Sequence, residues 1–151
     1  MKILIDADAC PVVELAINEA KALNIPIHLF FDTTHMFSDD YAIIHICDKG
    51  NDSVDYEVLK NTLINDIVIT QDYGLACLVL SKGAVCLNQN GLVYTNDSID
   101  TLLQTRYIGQ KIRKSWGRTK GPSKRTKEND INFVNSLRLE IKKIIEKKAT
   151  S

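Results

Sequence analysis

The chain is 151 residues long, 44% hydrophobic and 25% charged, with seven glycines and three prolines. That is globular usage, which excludes a disordered or collagen-like chain. At this length about two thirds of the unfolded surface can be buried, so a core forms without covalent or metal staples. The net charge of zero hides an asymmetry: residues 1 to 105 carry 5 Lys and Arg against 15 Asp and Glu, while residues 106 to 151 carry 14 against 4. A chain divided in this way suggests a polyanion-binding surface on its basic part.

Short apolar runs alternate with amphipathic stretches, the pattern of βαβ units and a mostly parallel sheet flanked by helices. Residues 3 to 5 (ILI) read as the first strand. Pro11 suits the first turn of a helix running to Leu23, with Val12, Val13, Ala16, Ile17 and Ala20 at helical spacing. Residues 27 to 31 (IHLFF) and 42 to 47 (AIIHIC) give the second and third strands. Asp52 and Ser53 suit the cap of a helix to about Leu63, with Val54, Val58, Leu59 and Leu63 on one face. Residues 66 to 70 (DIVIT) form the fourth strand, followed by a helix from about Asp72 to Ser81 that stops near Gly83. Residues 84 to 88 (AVCLN) form the fifth. Asn96 or Asp97 then caps a helix through Ile99, Leu102 and Leu103.

Residues 106 to 127 hold nine Lys and Arg and no acid, with Gly117, Gly121 and Pro122 breaking regular structure, and read as a basic loop. A last helix is expected at about 129 to 147, with Ile131, Val134, Leu137, Ile141, Ile144 and Ile145 as its apolar stripe. No apolar run approaches the roughly 20 residues of a membrane span, and MKILIDADAC meets an aspartate before a signal-peptide core forms, so neither export nor membrane insertion is expected. Cys10, Cys47, Cys77 and Cys86 show no CxxC spacing, and the last three sit in apolar runs as small buried hydrophobes do, which fits a reduced cytoplasm.

Ligands of open α/β sheets bind beyond the carboxyl ends of the strands. Acids fall there repeatedly: Asp6 and Asp8 after strand one, Asp32 after strand two, Asp48 after strand three, and Asp72 just past Thr70 after strand four, with Asp52 and Asp55 opening the next helix. Asp32, Asp48 and Asp52 equally suit loop or capping roles. Asp6 and Asp8 end a buried strand, where a charge must be paired or bound to a cation. Crowded carboxylates repel unless neutralised, and hard oxygen ligands favour Mg²⁺ or Mn²⁺ over zinc. On the basic side, Arg106, Arg113, Arg118, Lys120, Lys124 and Arg125 suit phosphates, and Trp116 suits stacking on a base. Cys10 has neighbouring carboxylates and no flanking His, which favours a packing role over a reactive thiol.

The segments DADACPV at 6 to 12, DxxD at 52 to 55, DIVITQDYGLA at 66 to 76, KGA at 82 to 84 and GRTKGP at 117 to 122 resemble the YaiI/YqxD family of uncharacterised bacterial proteins, in order along nearly the whole chain. That family is itself similar to PIN-like and NYN-like nuclease domains. The resemblance implies a single PIN-like α/β domain over residues 1 to 151. It places Asp6 at the first acid, Asp55 or Asp52 at the second, and Thr70 with Asp72 at the third motif. Where the wider nuclease group often carries a fourth acid this chain has Asn88 and Asn90, and Trp116 precedes Gly117 where paired glycines are expected. The expected function is a Mg²⁺- or Mn²⁺-dependent phosphodiester hydrolase acting on RNA, with Asp6, Asp8, Asp55, Thr70 and Asp72 catalytic and Asp6, Asp8, Asp52, Asp55 and Asp72 as metal ligands. The alternative is a non-catalytic RNA- or protein-binding module on the same fold. A phosphatase using an aspartyl nucleophile of the D-x-D is a third class.

Overall fold

The computed structural model describes residues 1–32, 36–48, 53–100 and 124–150. In chain order these hold β1 (Ile3–Asp6), α1 (Val13–Ala22), β2 (Ile27–Asp32), β3 (Ile43–Cys47), α2 (Ser53–Asn61), β4 (Ile67–Ile69), α3 (Tyr73–Ser81), β5 (Val85–Leu87) and α4 (Lys127–Thr150). The five strands form one sheet in the order β3-β2-β1-β4-β5, every pairing parallel. This is the expected α/β architecture. Among the described residues no helix is long and apolar enough to cross a membrane.

Strand alternation divides the core into two layers. Ile3, Ile5, Ile27, Leu29, Phe31, Ile67 and Ile69 point to one face, where Ala16 and Ile17 of α1 and Phe133, Leu137, Ile141 and Ile144 of α4 cover them. Leu4, Phe30, Val68 and Cys86 point to the other, against Val58 of α2 and Leu75, Ala76 and Val79 of α3. Strands buried on both faces need the near-continuous apolar runs seen here. Because the β1-to-β2 crossover lies on one face and the β3-to-β4 and β4-to-β5 crossovers on the other, strand order reverses between β1 and β4. That reversal opens a crevice at their carboxyl ends.

Several local expectations are corrected. Pro11 lies before α1, whose N-cap is Val12. α2 ends at Asn61, which leaves Leu63 63% exposed instead of on the buried face. Residues 96–100 are helical, but neither Asn96 nor Asp97 is the cap. Thr95 Oγ1 accepts from the Ser98 N–H at 3.1 Å and Ser98 Oγ accepts from the Thr95 N–H at 2.8 Å, a reciprocal box that satisfies two otherwise open donors. α4 begins at Lys127 rather than 129, and its buried stripe is turned toward Phe133, so Ile131 and Ile145 face outward. Cys77 is exposed, whereas Cys47 and Cys86 are buried; all four cysteines are free.

Candidate active site

The crevice is built by two strand exits. At the end of β1, Ala7 N–H donates to the Phe30 carbonyl and Cys10 N–H to the Ala7 carbonyl, folding DADAC into a tight turn. Ala9 sits in it at φ +57°, a left-handed conformation that costs a residue with a Cβ about 1–3 kcal/mol and persists only when its surroundings enforce it. The turn presents Asp8, whose Oδ2 accepts from the Asp32 N–H at 2.9 Å and so links the ends of β1 and β2. At the end of β4, Thr70 Oγ1 donates to Asp6 Oδ2 at 3.1 Å and accepts from the Asp72 N–H at 3.1 Å. Asp72 is the N-cap of α3: its Oδ1 accepts from Gly74 and Leu75 N–H groups at 2.8 and 3.1 Å. Beneath it, Tyr94 is buried and donates its hydroxyl to the Thr70 carbonyl at 3.2 Å.

Asp6, Asp8, Ala9, Cys10, Ile69, Thr70, Gln71 and Gln89 line a cavity of about 190 Å³. Burial raises the Asp6 carboxyl above its usual range. The Thr70 hydrogen bond opposes this, and the Asp72 and Asp8 carboxylates add to it. The Cys10 thiol is also raised, by burial first, which suits the packing role expected of it. Asp55, in the first turn of α2, does not line this cavity. It lines a neighbouring groove together with Asp72, Tyr56, Leu59, Gly74, Leu75 and Leu78. Asp72 does not line the cavity either: its side chain borders this groove, and its link to the cavity is its backbone N–H on Thr70 Oγ1 and the charge that Asp6 senses. Asp48 is exposed at the end of β3.

Among the described residues no three His, Cys, Asp or Glu side chains close around one point in the manner of a complete metal cage. The donor chemistry nevertheless suits Mg²⁺ or Mn²⁺, since the cavity offers carboxylate, hydroxyl and amide oxygens, and the Asp6 carboxyl there is raised by burial and by the neighbouring Asp72 and Asp8 carboxylates. Mg²⁺ commonly takes only one or two carboxylates and completes its shell with water and substrate phosphate.

Asp52 and the basic candidates Arg106, Arg113, Trp116, Arg118 and Lys120 lie outside the described residues, as do Leu102 and Leu103. Lys124 is exposed just before α4. Arg125 is already committed to protein partners: Nε donates to Asp130 at 2.8 Å, Nη1 to Asn90 Oδ1 at 2.7 Å and Nη2 to the Gln89 carbonyl at 2.9 Å. It clamps the loop after β5 onto the start of α4. In the same loop Asn88 Oδ1 accepts from Asn90 and Leu92 N–H groups, both at 2.9 Å, so Asn88 and Asn90 are occupied in shaping the turn. Gln89, which the sequence did not single out, is the loop residue that reaches the cavity wall, and its Oε1 is buried with no hydrogen-bond partner among the described residues.

These features define a doubly wound parallel α/β protein with an acid-lined crevice at its strand-order reversal. The family model described as "Uncharacterized BCR, YaiI/YqxD family" matches residues 4–143, and the chain belongs to that family. A UPF0178 protein of Ruminiclostridium cellulolyticum is 49% identical over 142 residues, spanning 94% of this chain and 93% of the relative. A UPF0178 protein of Exiguobacterium sibiricum is 46% identical over 137 residues, spanning 91% and 94%. Among solved structures, a mutant of Rae1 (YacP) from Bacillus subtilis aligns with a TM-score of 0.47 at 15% identity, over 77% of this chain and 86% of that one.

Proposed function

We propose that this protein is a Mg²⁺- or Mn²⁺-dependent nuclease acting on RNA or another phosphodiester in a reduced, cytoplasmic setting. The observation that carries the reading is the placement of Asp6, Asp8 and Thr70 around one cavity at the carboxyl ends of β1 and β4, with the backbone N–H of Asp72 bonded to Thr70 Oγ1. Asp6 and Asp8 would hold the cation, and Asp72, whose charge reaches Asp6, would add negative charge near it. Such an ion, when bound, lowers the pKa of water and offsets charge on the phosphoryl oxygens. Thr70 holds Asp6 in one orientation through Oδ2, and the Asp32 N–H does the same for Asp8. The cations of residues 106 to 124 would hold the phosphodiester backbone against an otherwise repulsive acidic crevice.

A binding module without turnover is the second reading. It is favoured by the use of Asp72 Oδ1 as a helix cap and by Asn88, a neutral turn-former, where the wider nuclease group often carries a fourth acid.

Cleavage of labelled single-stranded RNA with Mg²⁺ or Mn²⁺, by wild type and Asp72→Asn, separates the two. The nuclease reading expects cation-dependent cleavage that falls steeply in Asp72→Asn while RNA affinity holds or rises, because carboxylate–phosphate repulsion is relieved. No cleavage of RNA or DNA with either ion, together with unchanged ion and RNA binding in the variant, establishes the binding module instead.

A further inference from the structure

The groove between α2 and α3 holds more than the acids used above. It is a depression of about 400 Å³ lined by Asp55, Tyr56, Leu59, Asp72, Leu75 and Leu78. Its apolar walls are unusually open: Tyr56 is 65% exposed and Leu78 51% exposed. Gly74 also lies on it and adds no side chain there.

Tyr56 differs from the other described tyrosines. Tyr41 donates to the Ile25 carbonyl at 2.6 Å, Tyr94 to the Thr70 carbonyl at 3.2 Å, and Tyr73 packs edge-on against Tyr94 with centroids 6.1 Å apart. Among the described residues Tyr56 makes no hydrogen bond, ion pair or ring contact. It contributes little to holding the fold, yet it follows Asp55 directly and shares its groove with Asp72, whose N–H is bonded to Thr70 of the acid cavity. It also lines a second depression, of about 680 Å³, with His45, Asp48, Ser53 and Glu57. Tyr56 therefore borders both clefts.

Resting on the nuclease reading of the neighbouring crevice, we infer that this groove holds an unpaired nucleobase of a single-stranded nucleic acid, with Tyr56 as its stacking surface and Leu59, Leu75 and Leu78 as its apolar floor. Charge selects the base over the backbone: Asp55 and Asp72 in this groove, and Asp48 and Glu57 in the next, repel phosphate but accept from the exocyclic amino groups of bases. Aromatic stacking is how sequence-tolerant proteins hold single strands, and it requires a base free of its duplex partner. Position joins the two sites, since the groove that Tyr56 lines also holds Asp72, whose N–H is bonded to Thr70 of the acid cavity.

The test is fluorescence anisotropy of the full chain with a short labelled single strand, without divalent cation so that no cleavage intervenes. A strand of the same length and charge made wholly of abasic sites is run beside it, on wild type, Tyr56→Ala, Tyr56→Leu and Tyr56→Phe, each checked for wild-type circular dichroism. The inference expects Tyr56→Ala and Tyr56→Leu to lose about five- to hundredfold in affinity for the ordinary strand, Tyr56→Phe to stay close to wild type, and all four to bind the abasic strand alike. Equal binding of the ordinary strand by wild type and Tyr56→Ala overturns it. So does an equal loss on both strands, which would assign the groove to another occupant. If wild type binds neither strand, the nucleic-acid reading of the crevice falls first and this assignment falls with it.

Discussion

Thr70 and Asp6, 64 residues apart in sequence, meet at 3.1 Å where the Thr70 hydroxyl donates to Asp6 Oδ2, and the same hydroxyl oxygen accepts the Asp72 N–H. One side chain thus joins the exits of β1 and β4 and the start of α3. Thr70→Val keeps the shape but leaves a half-buried carboxylate and a backbone N–H without their partner. It should cost about 1–3 kcal/mol in urea unfolding at neutral pH, with Thr70→Ser close to wild type.

Asp72 carries two separable roles. As N-cap of α3 it is replaceable by Asn, which caps equally well, so Asp72→Asn should unfold within about 0.5 kcal/mol of wild type, whereas Asp72→Ala should lose about 0.5–2 kcal/mol. Both variants should be poor nucleases. A thermal melt beside the cleavage assay distinguishes lost charge from lost cap.

RNA binding should weaken with salt, because phosphate contacts release counterions. Changing Arg113, Arg118 and Lys120 to Ala should lower affinity and flatten the slope of log K against log salt by about 0.7 for each single-strand phosphate contact removed. Equal affinity and slope in the triple variant, measured by titration at two salt concentrations, would take these residues out of the interface.

His28 and His45 pair across β2 and β3, with Nδ1 of the first 2.8 Å from Nε2 of the second. His45 also stacks on Phe30 at 4.4 Å. Burial holds both imidazoles below their ordinary range; at His28 the neighbouring His45 and then Lys2 add to this against Asp66, and at His45 Glu57 opposes it. The folded state therefore binds fewer protons than the unfolded chain as pH falls below about 6.5, the ordinary imidazole value. Stability contributed by the pair is complete above that pH and is lost on acidification toward the lowered folded values. Unfolding midpoints should drop from pH 7 to 5.5 more in wild type than in a His28→Asn, His45→Asn double variant.

The strand exits were legible because a D-x-D or T-x-D that ends an apolar run leaves a charge at a buried edge, and both do so here. The cap role of Asp72 was legible from its place before an apolar helix. Thr95 was not, since Asn96 and Asp97 are stronger cap formers in isolation and only the Ser98 hydroxyl, bonding back, moves the cap one residue earlier. Arg125 resembled the other basic residues until tertiary structure brought Asn90 and Gln89 to it. Gln89 carries no charge or motif, so nothing local marked it. Cys77 lies in an apolar run on α3, but it is Leu75, Ala76 and Val79 of that helix that are buried, with Tyr73 and Leu80 packed partly against the same core.

Crystals grown with Mn²⁺ test the central claim most directly, by anomalous scattering at the manganese edge. A peak in the cavity between β1 and β4, within about 2.6 Å of an Asp6 carboxylate oxygen and absent in crystals of Asp6→Asn, is the expected result. Manganese bound only elsewhere on the protein, or a peak that persists unchanged in Asp6→Asn, would contradict the account.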